Sequence, residues 1–479
     1  MVTTASFRIA AGREEWIDLF DGHTLNGWQP SENKSSWKVL DGALTADGPR
    51  SHLFYTGSVR AADFRNFELE VELTTQPDCN SGVYFHTAYQ ETGFPEKGFE
   101  VQVNNTARGE GGYLERKRTG SLYGLRNMYK QLVPDEKPFR MRVTVHGKNV
   151  QIRLNEELLV DYVEPTPPVI PEGGERGRFL DHGTFALQCH NNGSRVSYRK
   201  VRVRPLPDHL AAYSSAPPAV DNVYRQIINL GRHNVPMVDY QVFLRDGMTL
   251  EEALRKSRRD GIQYGITASS TTFQDDADAR RWLNSLAGKP VFCALYATHR
   301  TWTRTISQKT AQQFDYVLAD GRVWINSQNR PVRLWVPEEA ASIQNRQAFL
   351  DSLVDQIVER LNTEPIDLYA FPTYLPAAMR AEADQLWTEY RVTKLIDALL
   401  KNQVAVEINT REQLPGRAFL ERAKQAGCKF GFGTANETAA DLKRCEYGLQ
   451  MLETCKLDWH NFFVPGAWWP KAADRRWPA

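Results

Sequence analysis

The pattern of apolar residues in this chain changes once, across a stretch rich in Pro and small residues, and the two patterns call for different folds. From Trp16 to about Leu206, strand-like runs recur at short spacing, at 37–44, 67–74, 139–145, 150–154 and 196–203. Turn-forming residues separate them, as in Leu40-Asp41-Gly42. Short alternating strands with no helical period specify a β-sandwich or jelly roll. Gly147-Lys148-Asn149 lies between two alternating runs and reads as a hairpin turn.

The changeover runs from Pro205-Leu206-Pro207-Asp208 to Ser214-Ser215-Ala216-Pro217-Pro218, a linker composition. From about Val220, strand candidates at 237–243, 264–266, 291–296, 316–318, 366–371, 404–408 and 430–433 alternate with helical stretches. The helices are expected at 249–259, behind a cap-like Thr249, and at 346–361, 383–401 and 418–425. Repeated βα units predict a TIM-like α/β barrel with its chemistry at the C-terminal ends of the strands. The expected organisation is a multidomain chain: an all-β sandwich at 14–206, a linker at 207–219, a (βα)-barrel at 220–466 and a tail at 467–479. Trp468, Trp469 and Trp477 of the tail are expected to tack it onto a domain surface.

Charge narrows the partners. With 59 basic and 58 acidic residues and no long basic run, the chain lacks the patch a nucleic-acid partner needs. The six cysteines are scattered without a C-x-x-C pair, as small buried hydrophobes would be. No apolar run approaches the length of a membrane span. Residues 1–16 lack the charged and apolar regions of a signal peptide. They read equally as the start of a chain whose signal was removed, which would be periplasmic or secreted, or as that of a cytoplasmic one. Oligomeric state is open.

Three stretches place polar residues two apart on otherwise apolar strands: Tyr84/His86, Glu100/Gln102 and Gln188/His190. Alternation puts each pair on one face, with apolar neighbours facing a core. A face with a carboxylate, imidazoles, carboxamides and a phenol reads as a small-molecule site, the competing reading being a solvated outer face.

Leu19-Phe20-Asp21-Gly22, Leu25-Asn26-Gly27-Trp28, Asn80-Ser81-Gly82-Val83-Tyr84-Phe85, Phe99-Glu100-Val101-Gln102 and Gly183-Thr184-Phe185-Ala186-Leu187-Gln188-Cys189-His190 follow in order. Together they resemble the 3-keto-disaccharide hydrolase family, a concanavalin-like jelly roll. The resemblance implies a carbohydrate substrate, a glycoside oxidised to a ketone at C3, with cleavage or hydration beside the ketone and often a divalent cation. The second half resembles the polymerase-and-histidinol-phosphatase superfamily of metallohydrolase barrels in its order of elements. Its ligands depart from that pattern: Asp239 remains on the first strand, but Gln241 and Phe243 stand at the His positions, and Ala268-Ser269, Phe371 and Ala435-Asn436 replace further donors. Phe and Ala cannot ligate zinc or manganese.

A ketone at C3 acidifies the hydrogen at C2, so the chemistry needs a base, a donor for the enolate oxygen and an acid for the leaving group. Glu100 is the candidate base and His190 the candidate acid or cation ligand. Gln102 and Gln188 would orient hydroxyls. His86 would contact substrate, Tyr84 and Tyr123 would stack on a sugar, and Arg126 and Lys130 would line the rim of the cleft. Each has a plainer reading: a paired carboxylate, a rim histidine, tyrosines packed in strands, and a solvated basic loop at 113–126. Asp239, Gln241, His299, Glu407, Asn409 and Asn436 fall at predicted strand ends and could form a metal-free polar pocket, the alternative being a barrel kept as scaffold. The alternative to an enzyme is a carbohydrate-binding protein whose sheet grips sugar without chemistry.

Overall fold

The computed structural model describes residues 15–106, 113–174, 176–209, 217–467 and 469–478. The centre of the expected linker and Trp468 lie outside the described residues. The chain forms two units, dividing between Ala219 and Val220.

The first unit is an all-β sandwich of jelly-roll type. Its larger sheet runs in the order Glu157–Val163, Asn149–Leu154, Phe139–His146, Phe67–Thr75, Val196–Pro205, Ala43–Ala46, Trp37–Leu40, with Ile17–Asp18 on Val196–Pro205. The smaller sheet has five strands: Trp28–Pro30, Ser51–Tyr55, Thr184–Cys189, Asn80–Thr87 and Phe99–Asn104. All neighbours are antiparallel. Alternation decides what is buried. Val203, Leu69 and Val143 align across the larger sheet and are at most 1% exposed, while Glu70, one residue on, bonds Arg142 and Arg202 on the opposite face. Across the sandwich, the Phe67 ring meets Phe85 and Phe185 of the smaller sheet edge-on. Each such buried side chain contributes about 1.5–3 kcal/mol. The hairpin at Gly147 forms as read, and Gly147 takes φ +59, a conformation that suits the tight turn.

The second unit is a closed barrel of seven parallel strands: Val238–Val242, Gln263–Ser269, Phe292–Ala297, Tyr316–Ala319, Leu368–Tyr369, Ala405–Asn409 and Phe430–Gly433. Helices connect them, making it TIM-like. Thr249 caps helix Leu250–Asp260 in a full capping box with Glu252. The single helix expected at 383–401 is two, Ala383–Leu386 and Glu389–Lys401, because Trp387 leaves the helical backbone (ψ 65) and donates its indole N–H to the Thr373 carbonyl. In the tail, Trp477 meets Trp302 edge-on and Trp469 stacks near Phe463. Among the described residues, no helix is long and apolar enough to cross a membrane.

Candidate functional site

Strand register fixes which side chains meet. Gln29, Phe54, Ala186, Tyr84 and Glu100 form one row across the smaller sheet. The bridge between Val101 and Leu122 sets Tyr123 opposite Glu100, extending the row. His52, Gln188, Gly82 and Gln102 form the next row on the same face. Leu53, Leu187, Val83 and Val101 lie between the rows and face the core, each at most 1% exposed. Glu100/Gln102 and Gln188/His190 therefore share faces as expected from alternation.

Tyr84 and His86 do not. The pairing with Thr184–Cys189 slips between Tyr84 and Thr87, and His86 takes φ +55. This bulge turns the imidazole onto the Phe67 and Phe85 rings, with Nε2 2.9 Å from the Arg65 carbonyl oxygen. His86 sits in the packing between the sheets, away from the polar face, and burial pushes it down to about 4.

On the polar face, Glu100 is buried and its side chain lies across Gly82, where a Cβ would come within 2.4 Å of Oε1. Gln188 donates to the Tyr84 hydroxyl at 2.9 Å, and Gln102 donates to Asn80 Oδ1 at 2.8 Å. His52, which strand alternation could have revealed because it lies two residues before Phe54, stands beside Gln188 and is fully buried. Burial pushes its imidazole from 6.5 to about 3, so it is neutral at ordinary pH, and its Nδ1 and the Gln188 Oε1 have no hydrogen-bond partner. Segment 88–98 walls this end: Tyr89 meets Phe54, and Phe94 meets both His52 and His190.

The opposite wall is the segment read as a solvated basic loop. Lys117 is fully buried, its Nζ 3.2 Å from Glu115 Oε1 and 4.5 Å from the centre of the Tyr123 ring. Tyr113 and Tyr123 both donate to Glu115 Oε2. Burial opposes ionisation of Glu115, but the adjacent Lys117 ammonium and hydrogen bonds outweigh it and hold the carboxyl below its usual range. Arg126 is also buried, over the Tyr162 ring at 5.2 Å, rather than out on a rim; Lys130 is partly exposed. A Glu and a Lys two apart were legible, but their burial depends on a segment pairing beside Phe99–Asn104, which no periodicity announces.

Glu100 and His190 stand in different rows of the sheet face. His190 lies four residues beyond Ala186, the row-mate of Glu100. Ordinary strand dimensions separate their Cα atoms by roughly 16 Å, about 13 Å along and 10 Å across. Tyr84 and Tyr123 flank Glu100 in its row, and Lys117 stands against the Tyr123 ring. Among the described residues, no three His, Cys, Asp or Glu side chains are placed to hold a metal ion. Among the described residues, these side chains do not make the donor set for the divalent cation that the resemblance implies.

In the barrel, Glu407 and Asn409 pair with Gly431 and Gly433 and face inward, where the Tyr240 ring lies against Gly431 and meets Phe292 and Tyr316. Glu407 Oε2 accepts from Phe371 N at 2.9 Å and from Asn409 Nδ2 at 3.1 Å; Oε1 has no partner. Burial, reinforced by the nearby Asp239, pushes Glu407 up to about 7. Asp239 is not on this face. It pairs with Phe432, whose ring lies against Gly448 of the outer helix Glu446–Thr454. A register shift between Asp239 and Val242 leaves Tyr240 and Gln241 both on the inner side. Asn436 is spent on the backbone, bonding both N and O of Phe243. His299 borders a cavity of about 250 Å³ with Asp320, Leu353, Ile357 and Arg360.

Comparison with known proteins concerns the sandwich. Residues 15–204 match the family described as the 3-keto-alpha-glucoside-1,2-lyase-like domain. A curated 3-keto-disaccharide hydrolase of Bacteroides thetaiotaomicron is 26% identical over 182 residues, which cover 33% of this chain and 61% of the relative. Among solved structures, a provisionally named glycosyl hydrolase from Parabacteroides distasonis ATCC 8503 is 21% identical, covering 40% of this chain and 94% of its own, with a TM-score of 0.34. The carbohydrate binding module CBM66 from Bacillus subtilis is 12% identical, covering 37% of this chain and 95% of its own, with a TM-score of 0.25.

Proposed function

We propose that the polar face of the sandwich is the active site of a carbohydrate-active enzyme that cleaves glycosides beside a C3 ketone. The carrying observation is the buried Glu100 carboxylate, laid across Gly82 between Tyr84 and Tyr123, with Lys117 against the Tyr123 ring. The family match of residues 15–204 and the name of the curated relative support a substrate of this class.

Glu100 takes the proton from C2, and the C–H electrons form the enolate, whose charge rests on the former ketone oxygen. The Lys117 ammonium, balanced by Glu115, faces that charge. Collapse of the enolate restores the ketone, forms the C1–C2 double bond and expels the C1 oxygen, which leaves as an alcohol after taking a proton from Tyr84 or Tyr123. Water then adds to C1 and gives its proton to the tyrosinate, while Glu100 returns the proton it took to C2, which completes net hydrolysis and restores both side chains. The carboxamides of Gln188 and Gln102 hold ring hydroxyls. Since no cluster of three His, Cys, Asp or Glu side chains assembles among the described residues, no step is routed through a cation.

The test is product analysis by mass spectrometry on a panel of 3-keto-glucosides with the full chain and Glu100→Gln. Turnover by the parent that falls at least about 100-fold in the variant, with binding retained, is the expected result. Saturable binding with no product from the folded parent would make the face a sugar-binding surface and end the catalytic reading.

A further inference from the structure

The strand ends of the barrel carry a second polar site that the sandwich chemistry does not use. Gln241 is fully buried, and neither its amide oxygen nor its nitrogen has a hydrogen-bond partner. Glu407 Oε1 is likewise unpartnered and lies over Gly433, on the strand that separates Glu407 from Gln241. A buried polar group without a partner is costly, and three such atoms on one inner surface mark where a ligand supplies the missing bonds. A carboxamide and a carboxyl together match hydroxyl groups, which donate and accept at once.

Above this floor the loops bring in cations. Arg322 lies 3.4 Å from the centre of the Phe371 ring and is held by Asp320 and Tyr296. Arg411 is engaged by Glu412 and Glu437. Arg245 differs: it is exposed, stacked 4.0 Å from the centre of the Phe243 ring, and has no carboxylate at ion-pair distance among the described residues, the Glu437 carboxylate that acts on it from farther off being paired with Arg411. Phe243 in turn meets Tyr296, which ties Arg245 to the same mouth. A positioned guanidinium with no carboxylate at ion-pair distance is suited to an anion from outside the chain.

We propose that the C-terminal mouth of the barrel binds a sugar-sized polyol bearing one anionic group, its hydroxyls on Gln241 and Glu407 and its anion on Arg245. The anionic group can be a carboxylate or a phosphate, which the guanidinium receives in the same geometry.

The test is isothermal titration of the full chain with D-gluconate, D-glucose 6-phosphate and D-glucose. Binding of at least one anion, at least tenfold tighter than D-glucose, is expected, and which anion prevails identifies the group. Arg245→Ala, an exposed position, weakens that binding at least tenfold, and Gln241→Met weakens binding of the anion and of D-glucose alike. Absence of binding by both anions overturns the proposal. So does equal binding of D-glucose, or binding that survives both substitutions in folded protein. Turnover of 3-keto-glucosides is a separate readout, so failure here leaves the sandwich reading standing.

Discussion

At the scale of single residues, each unit sets a carboxylate over a glycine: Glu100 over Gly82 and Glu407 over Gly433. The glycine gives the longer side chain room to lie flat on the sheet. A methyl at Gly82 would sit 2.4 Å from Glu100 Oε1, so Gly82→Ala must swing the carboxylate aside. Turnover is expected to fall at least about tenfold, since small displacements of a catalytic group are costly. Circular dichroism should stay near that of the parent. His52 supplies a second prediction. Burial lowers its folded value from 6.5 to about 3, so the unfolded chain takes up a proton first as pH falls. The stability it contributes is complete above pH 6.5 and drains away toward pH 3, by up to about 1.4 kcal/mol per pH unit. Thermal unfolding between pH 7 and 4.5 should therefore steepen in the parent relative to His52→Phe; parallel curves would mean that His52 does not carry this dependence.

At the scale of elements, most strands were legible, though not Ser51–Tyr55 or Glu157–Val163, and 37–44 forms two strands rather than one; their faces were legible only in part. Alternation placed Glu100, Gln102 and Gln188 correctly because their strands pair without interruption up to those positions. Tyr84/His86 and Asp239/Gln241 have the same spacing in sequence, but each pair spans a register slip that sends one member to the opposite face. A bulge depends on how the neighbouring strand is aligned, and so leaves no mark in local periodicity. The burial of Glu115 and Lys117 was hidden for the same kind of reason: it depends on a non-local pairing. The slip at Asp239 gives this residue a structural task. Its carboxylate accepts from Gln241 N, Thr434 N and the Thr434 hydroxyl in a fully buried setting. Asp239→Ala strands those donors and should cost about 3 kcal/mol. Asp239→Asn, which keeps an acceptor oxygen, should cost less, and chemical denaturation measures both. Equal losses would show that the acceptor oxygen is not what matters.

At the scale of the whole molecule, all six cysteines are buried and unpaired. Burial raises the thiols, Cys189 to about 11 and Cys428 to about 12, which suppresses the reactive thiolate. Titration with an aromatic disulfide reagent should label few or none of the thiols in the native protein within minutes and all six in denaturant. Rapid native labelling would contradict the burial. The barrel closes where its first strand, Val238–Val242, meets its last, Phe430–Gly433, and Asp239 with Thr434 and Phe243 with Asn436 fasten that seam. These partners stand 195 and 193 positions apart. During synthesis from the N-terminus, the first strand thus emerges from the ribosome long before its mate exists. At about 5–20 residues per second, that edge waits roughly 10–40 seconds, open to any passing strand. A nascent chain of this design is exposed for longer by its final strand than by any other, which is where a chaperone would have most to do.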